Sequence, residues 1–281
     1  ITGKTQKEVA QKLRQITAEV DAKTYVAPCK LSISEWMSIW AQDCLVGVKA
    51  STAYLYRRTI ELYIDPHLGH IRLDALNAHA GQHFYNELAK PSKPDAAPLS
   101  AKSIKNIHGV LHKALKQAVL IGYLRTNPTE ACILPRIIRK EMHPLEEDQV
   151  AVFLREVQGH PHEYLYKIAL FTGLREGEVL GLGWEHIDFQ AGTLTVKRQL
   201  RREQKKGGEY YFSPPKNNKS RCLTLVPSVI QLFRLQKLEQ NSMRMETCDA
   251  WEGHGLIFTN QTGGYLSYRT VYDCFKRIVR N

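Results

Sequence analysis

The segment Phe171-Thr172-Gly173-Leu174-Arg175-Glu176-Gly177-Glu178 sets one arginine just behind a glycine and just ahead of two carboxylates. Gly173 is suited to end one helix, which puts Arg175 at the mouth of the next. There a guanidinium and backbone N–H groups can converge on an anion. Arg175 is the only arginine between Arg155 and Arg198, and its surroundings are the most acidic part of the chain. An ordinary ion pair with Glu178 or Asp188 explains the same residues equally well, and the sequence alone leaves the two readings balanced. Leu180, Leu182 and Trp184 read as core.

A second segment, Tyr210-Tyr211-Phe212-Ser213-Pro214-Pro215-Lys216-Asn217-Asn218-Lys219-Ser220-Arg221, presents lysines on a turn between expected strands. A lysine there can reach a backbone phosphate and donate a proton to a leaving oxygen. A solvated hairpin tip is the commoner fate of such lysines. The third candidate is a surface. Ser100 is placed to cap a helix whose apolar stripe is Ile104, Ile107, Leu111, Leu115 and Val119, leaving Lys102, Lys105, Lys113 and Lys116, with His112, on its other side. The acidic residues Glu141, Glu146, Glu147 and Asp148 would suit a metal-dependent nuclease. Three of them, however, are the first turn of an expected helix, where negative charge is favourable.

The charge that these residues carry is unevenly spread. The 281-residue chain has a formal charge of +11, an excess that usually meets a polyanion, although on charge alone acidic peptides and anionic membranes suit it as well. Residues 1–98 contribute +2, 99–140 contribute +7, 141–190 contribute −7, 191–221 return to +7 and 222–281 add +2. Two basic segments around an acidic one suggest surfaces that meet a polyanion from two directions. At 43% hydrophobic and 24% charged, the composition is that of a globular chain and excludes a disordered or fibrous one. No apolar run approaches the roughly 18 residues of a membrane span, and no secretory leader is expected. The six cysteines form no CxxC pair, so neither a zinc knuckle nor a disulfide framework is signalled.

Stepping the apolar period along the chain gives the elements that must hold these residues. A capping box at Thr5 starts a helix over 5–21, and another at Ser32 starts a helix with Trp36, Ile39 and Trp40. A run from Ser51 is expected to stop at Pro66, and a further helix covers 78–89. The prolines Pro128, Pro135 and Pro144, with Arg136, Arg139 and Lys140 among them, read as an extended linker. Beyond it the texture is mixed. Helices are expected over 145–158, 162–171 and 228–246 and from Ser267, with strands at 193–196, 222–226 and 256–258. At ~150 residues per domain the length allows two domains. They are drawn as a helical unit over 30–127, a linker over 128–144 and a mixed unit over 145–281, behind a connector helix in 1–29.

Taken together, Thr172-Gly173-Leu174-Arg175 with Glu178, then Leu182, Trp184 and Ile187-Asp188, and Lys216 to Arg221 some 28 residues later, resemble the catalytic domain of the tyrosine recombinases. The resemblance is to the integrases of phages and conjugative transposons. Ile64-Asp65-Pro66-His67-Leu68-Gly69 and Leu99 to His108 resemble the core-site DNA-binding domain of that family, and Thr2 to Val26 resembles the helix connecting it to an arm-site domain. The fold class so implied is mainly α with two domains. An all-helical, SAM-like core-binding domain precedes an α+β catalytic domain with a small antiparallel sheet.

The resemblance implies transesterification without metal or cofactor, in which a tyrosine attacks a DNA phosphate and a 5′-hydroxyl leaves. On this mapping Arg175 holds the scissile phosphate, Lys216 protonates the leaving oxygen with Lys219 as its alternative, and Glu178 orients Arg175. Lys102, Lys105, Lys113, Lys116, Arg136, Arg139, Lys140 and Arg221 are the expected DNA contacts. The partners implied are double-stranded DNA, a homotetramer of the complete protein on DNA, directionality factors as accessory candidates, and no membrane. The expected location is the bacterial cytoplasm, at the nucleoid. The sequence departs from the family after the hairpin: no histidine has an arginine three positions later, and Tyr265, Tyr268 and Tyr272 precede where that box would lie. The catalytic domain is therefore expected to be C-terminally truncated, with no nucleophile in this chain, and to bind duplex DNA without cleaving it. A non-enzymatic DNA-binding remnant of an integrase is the alternative.

Overall fold

The computed structural model describes residues 5–21, 29–91, 97–138, 141–205, 207–216 and 218–280. The chain divides into two compact units, Ile1–Glu141 and Met142–Asn281.

The first unit is helical. Helix α1 (Gln6–Asp21) begins where the Glu8 N–H donates to Thr5 Oγ1. Helix α2 (Ile33–Asp43) carries the full capping box: Ser32 N–H donates to Glu35 Oε2 at 2.7 Å and Glu35 N–H to Ser32 Oγ at 3.2 Å. Helices α3 (Ala50–Thr59), α4 (Asp65–Leu68), α5 (Ala78–Leu88) and α6 (Ala101–Leu120) follow. Trp36, Trp40, Ile64, Leu73, Leu111 and Leu115 are among its most buried large residues, and the Trp36 indole donates to Ala114 O, pinning α2 to α6.

Two expectations change here. Pro66 does not end the third helix. A π-turn over Ile60–Ile64 shifts the hydrogen-bond register, so that Pro66 falls in the first turn of α4, where a missing N–H costs nothing. Nor is the stretch after Asn127 extended from its start. Pro128–Ala131 is a 3₁₀ turn with Thr129 buried, Asn127 Nδ2 donates to His112 O, and the Gln82 side-chain amide both donates to and accepts from the Ile133 backbone. The His112 ring, at the edge of the basic face, is thereby engaged by Asn127 and Thr129.

The second unit begins with α7 (Glu147–Glu156), α8 (Glu163–Thr172) and α9 (Glu176–Leu180). Strands β1 (Ile187–Asp188), β2 (Thr193–Val196) and, later, β5 (Arg221–Thr224) form an antiparallel sheet in the order β1-β2-β5, with Val196 opposite Arg221. Between β2 and β5 the chain forms a sheet of its own. There β3 (Gln199–Arg202) pairs with β4 (Tyr210–Ser213), where one simple hairpin was expected. Helices α10 (Pro227–Thr247) and α11 (Tyr268–Arg280) complete the unit around Ile168, Leu182, Leu194, Val196, Phe233 and Ile257.

The strand expected at 256–258 makes only a single bridge, Leu256 to Gly183. Its carbonyls are taken instead by the buried glutamines of α10. Gln240 Nε2 donates to Leu256 O and Ile257 O, and Gln236 Nε2 to Ile257 O. A polar side chain has replaced the ladder. Helix α9 lies directly on β3, since a Cβ at Gly181 would stand 2.7 Å from Leu200 N and one at Gly177 3.2 Å from Leu200 O. At Gly181 only glycine permits that approach, while at Gly177 an added methyl would need the strand to give by a few tenths of an ångström, and α9 is thereby packed on the strand pair that leads to Lys216.

Candidate active site and nucleic-acid interface

Gly173 closes α8 in the left-handed region at φ 62°, its N–H donating to Ala169 O. The chain then turns so that Arg175 is the N-cap of α9. One turn later, Glu178 is 1% exposed and accepts four hydrogen bonds. Arg175 supplies its backbone N–H at 3.0 Å and Nη1 at 3.1 Å. Arg221, the first residue of β5, supplies Nη1 at 2.9 Å and Nη2 at 2.6 Å. Each carboxylate oxygen thus receives two donors, filling its ordinary accepting capacity. The Arg221 fork first, and the Arg175 N–H and side chain after it, overcome burial and pull the Glu178 carboxyl down to about 2.

Arg175 makes the ion pair with Glu178 that the sequence allowed, and its side chain stays 63% exposed at a helix mouth. Asp188, the other partner considered, accepts from the Gln190 and Ala191 N–H groups and caps its own turn. Arg221, expected among the DNA contacts, instead directs its fork inward to Glu178. Lys216 and Lys219 are both exposed on the turn between β4 and β5, where Asn218 adopts φ 54° and its N–H donates to Pro215 O.

On α6, Lys102, Lys105, Lys113 and Lys116 are all exposed, and at 100° per residue they fall within an arc of about 80°. The buried side chains of α6 lie on the opposite face. Lys113 Nζ also sits 5.3 Å from the centre of the Tyr56 ring. Arg136 is exposed; Arg139 and Lys140 lie outside the described residues. Glu146, Glu147 and Asp148 are exposed at the start of α7, as a helix N-terminus favours.

The late tyrosines have other occupations. Tyr265 is stacked between His254 and Tyr210, with ring centres 4.4 and 5.1 Å away. Tyr268 and Tyr272 stack on each other along α11. The nearby Glu176 charge, with burial second, pushes the Tyr268 hydroxyl up, opposite to what an activated nucleophile needs.

Sequence reasoning missed Glu176 altogether, because an acid in the first turn of a helix calls for no explanation. It borders an apolar cavity of about 260 Å³ with Leu174, Tyr166, Tyr272 and Phe275. Its Oε1 is buried without a hydrogen-bond partner, and burial raises the carboxyl to about 7.

A helical unit followed by a mixed unit with a clamped arginine and a lysine-bearing turn defines a class that comparison makes specific. Residues 140–281 match the model of the phage integrase family, and residues 32–89 match the phage integrase N-terminal SAM-like domain. The chain belongs to the phage integrase family. It is 24% identical to a tyrosine recombinase XerC-like protein of Caldanaerobacter subterraneus subsp. tengcongensis, over 99% of this chain and 74% of that one. Its fold is similar to that of the Tn1549 transposon integrase solved with transposon right end DNA, at a TM-score of 0.74 and 22% identity over 89% of this chain and 78% of the other. It is also similar to the lambda integrase solved as a tetramer on a Holliday junction, at a TM-score of 0.60 and 19% identity over 99% and 70% of the two chains. Among the described residues no helix is long and apolar enough to cross a membrane.

Proposed function

We propose that this chain acts in site-specific DNA recombination, gripping duplex DNA through the α6 lysines and holding one backbone phosphate at Arg175. The carrying observation is the Glu178 clamp, which fixes an exposed guanidinium at the mouth of α9. A planar fork so held suits charge that develops on the non-bridging oxygens of a phosphate. In the complete reaction a tyrosine oxygen bonds to phosphorus, the bond to the 5′-oxygen breaks, and Lys216, or Lys219 in its place, gives that oxygen its proton. Glu178 orients Arg175 throughout. Duplex DNA is the substrate, and a homotetramer on DNA is the assembly of the complete protein.

The placement of Tyr265, Tyr268 and Tyr272 supports binding without cleavage by the chain as it stands. Incubation with a nicked recombination substrate should give a retarded complex on a native gel and no covalent adduct on a denaturing one. An adduct abolished by Tyr268→Phe would show that the nucleophile lies in α11 and overturn this part of the reading. The same assay separates the recombinase from a DNA-binding remnant: supplying a tyrosine nucleophile in trans should restore cleavage only if Arg175 and Lys216 remain competent.

A further inference from the structure

We propose that Arg221 is a positioning residue for the phosphate site, acting through Glu178 to keep the Arg175 guanidinium turned outward and to tie the Lys216 turn to α9. The proposal rests on the reading of Arg175 given above and adds a residue to it.

A carboxylate offers one edge to a guanidinium fork, and a bidentate pair is the strongest arrangement either group can adopt there. In this site Arg221 takes that edge, at 2.9 and 2.6 Å, and leaves Arg175 one side-chain bond to Oε1. Were Arg221 absent, the Glu178 edge would be open to the Arg175 fork, three residues away on the same helical turn. Arg175 would then close bidentately on its own helix, and the donors it presents to solvent would be lost to a bound phosphate. Arg221 is thus the competitor that keeps Arg175 available.

Connectivity points the same way. Arg221 opens β5 opposite Val196, directly after the turn that carries Lys216 and Lys219. Glu178 lies in α9 and Arg175 caps it. One buried carboxylate therefore joins the two segments that hold the phosphate ligand and the proton donor. Arg221 serves poorly as a DNA contact in its own right, because both its terminal nitrogens are engaged and its side chain is only 36% exposed.

A double-mutant cycle on duplex affinity tests the idea, using the whole chain and a fluorescent random-sequence duplex. Arg175→Ala should weaken binding by roughly tenfold, the usual worth of a charge-assisted contact. Arg221→Gln should cost a similar factor, and the double variant should be no weaker than the worse single one. Arg221→Lys keeps the charge but cannot make the fork, so it should fail to rescue affinity. It also serves as the background for the cycle should Arg221→Gln not fold. Multiplying losses would mean that Arg221 contacts DNA independently, and full rescue by lysine would mean that only its charge matters; either overturns the proposal. An Arg175→Ala variant that binds normally would instead remove the reading of Arg175, and this proposal with it.

Discussion

The two units arrange positive charge in opposite ways. On α6, four lysines stand on an exposed stripe of a helix whose other face is core. Around α9, two arginines are drawn onto one carboxylate that is itself 1% exposed. Lysine on a flexible stem suits delocalised attraction to a phosphate backbone, while a guanidinium fixed by a buried acceptor suits a single phosphate in a set orientation. In the proposed function, affinity and geometry therefore come from different residues on different units.

The comparison breaks most severely at Glu178. Replacing it by glutamine leaves two guanidiniums facing a neutral amide and should destabilise the second unit by about 3 kcal/mol, the lower part of the range for a broken buried pair because both arginines are partly exposed. Urea melts across pH give the sign. The carboxyl is held near 2 against an ordinary 4.5, so its contribution is present above 4.5 and is lost as pH falls through 2. The gap between wild type and Glu178→Gln should therefore close toward pH 2, and a gap independent of pH would show that the carboxylate charge is not what the arginines hold.

Glu176 provides a contrast one residue from Arg175. Its carboxyl is raised to about 7 by burial, so the folded state keeps a proton that the unfolded chain releases near 4.5, and stability is lost as pH rises from 4.5 to 7. Glu176→Gln should be close to neutral at pH 5 and more stable than wild type at pH 8 by about 1 kcal/mol, after discounting for its partial exposure. Thermal melts at the two pH values read this directly.

The smallest effect sharpens the lysine side. Gly109 lies in the middle of the lysine arc, and a Cβ there would meet nothing within 4 Å. Gly109→Ala should stabilise the first unit by about 0.5–1 kcal/mol through helix propensity alone. Because the added methyl projects from the lysine face, DNA affinity should not rise with stability; a parallel rise would place the DNA elsewhere.

Much of this was legible in the sequence where a local rule decided the outcome. Ser32 with Glu35, Ser100 and Gly173 each cap a helix because the nearest backbone groups are their only concern. Arg175 was visible for the same reason, since a glycine followed by a short helix fixes its place. What escaped was decided by contacts distant in sequence. Arg221 looked like one more basic residue until a carboxylate 43 positions away claimed it. Leu256 to Phe258 had strand composition, but α10 satisfied its carbonyls with glutamines. The π-turn before Pro66 and the separate β3–β4 pair are likewise register choices that apolar period does not encode.

The central claim, that the α6 lysines carry the grip on DNA, is tested most directly by duplex affinity over a range of salt concentrations. The measurement is made for the wild type and for a variant with Lys102, Lys105, Lys113 and Lys116 all changed to glutamine. At about 0.9 per neutralised phosphate, the slope of log affinity against log salt should become shallower by up to about 3.6. A salt-independent wild-type affinity, or a slope that the four substitutions leave unchanged, would contradict the account.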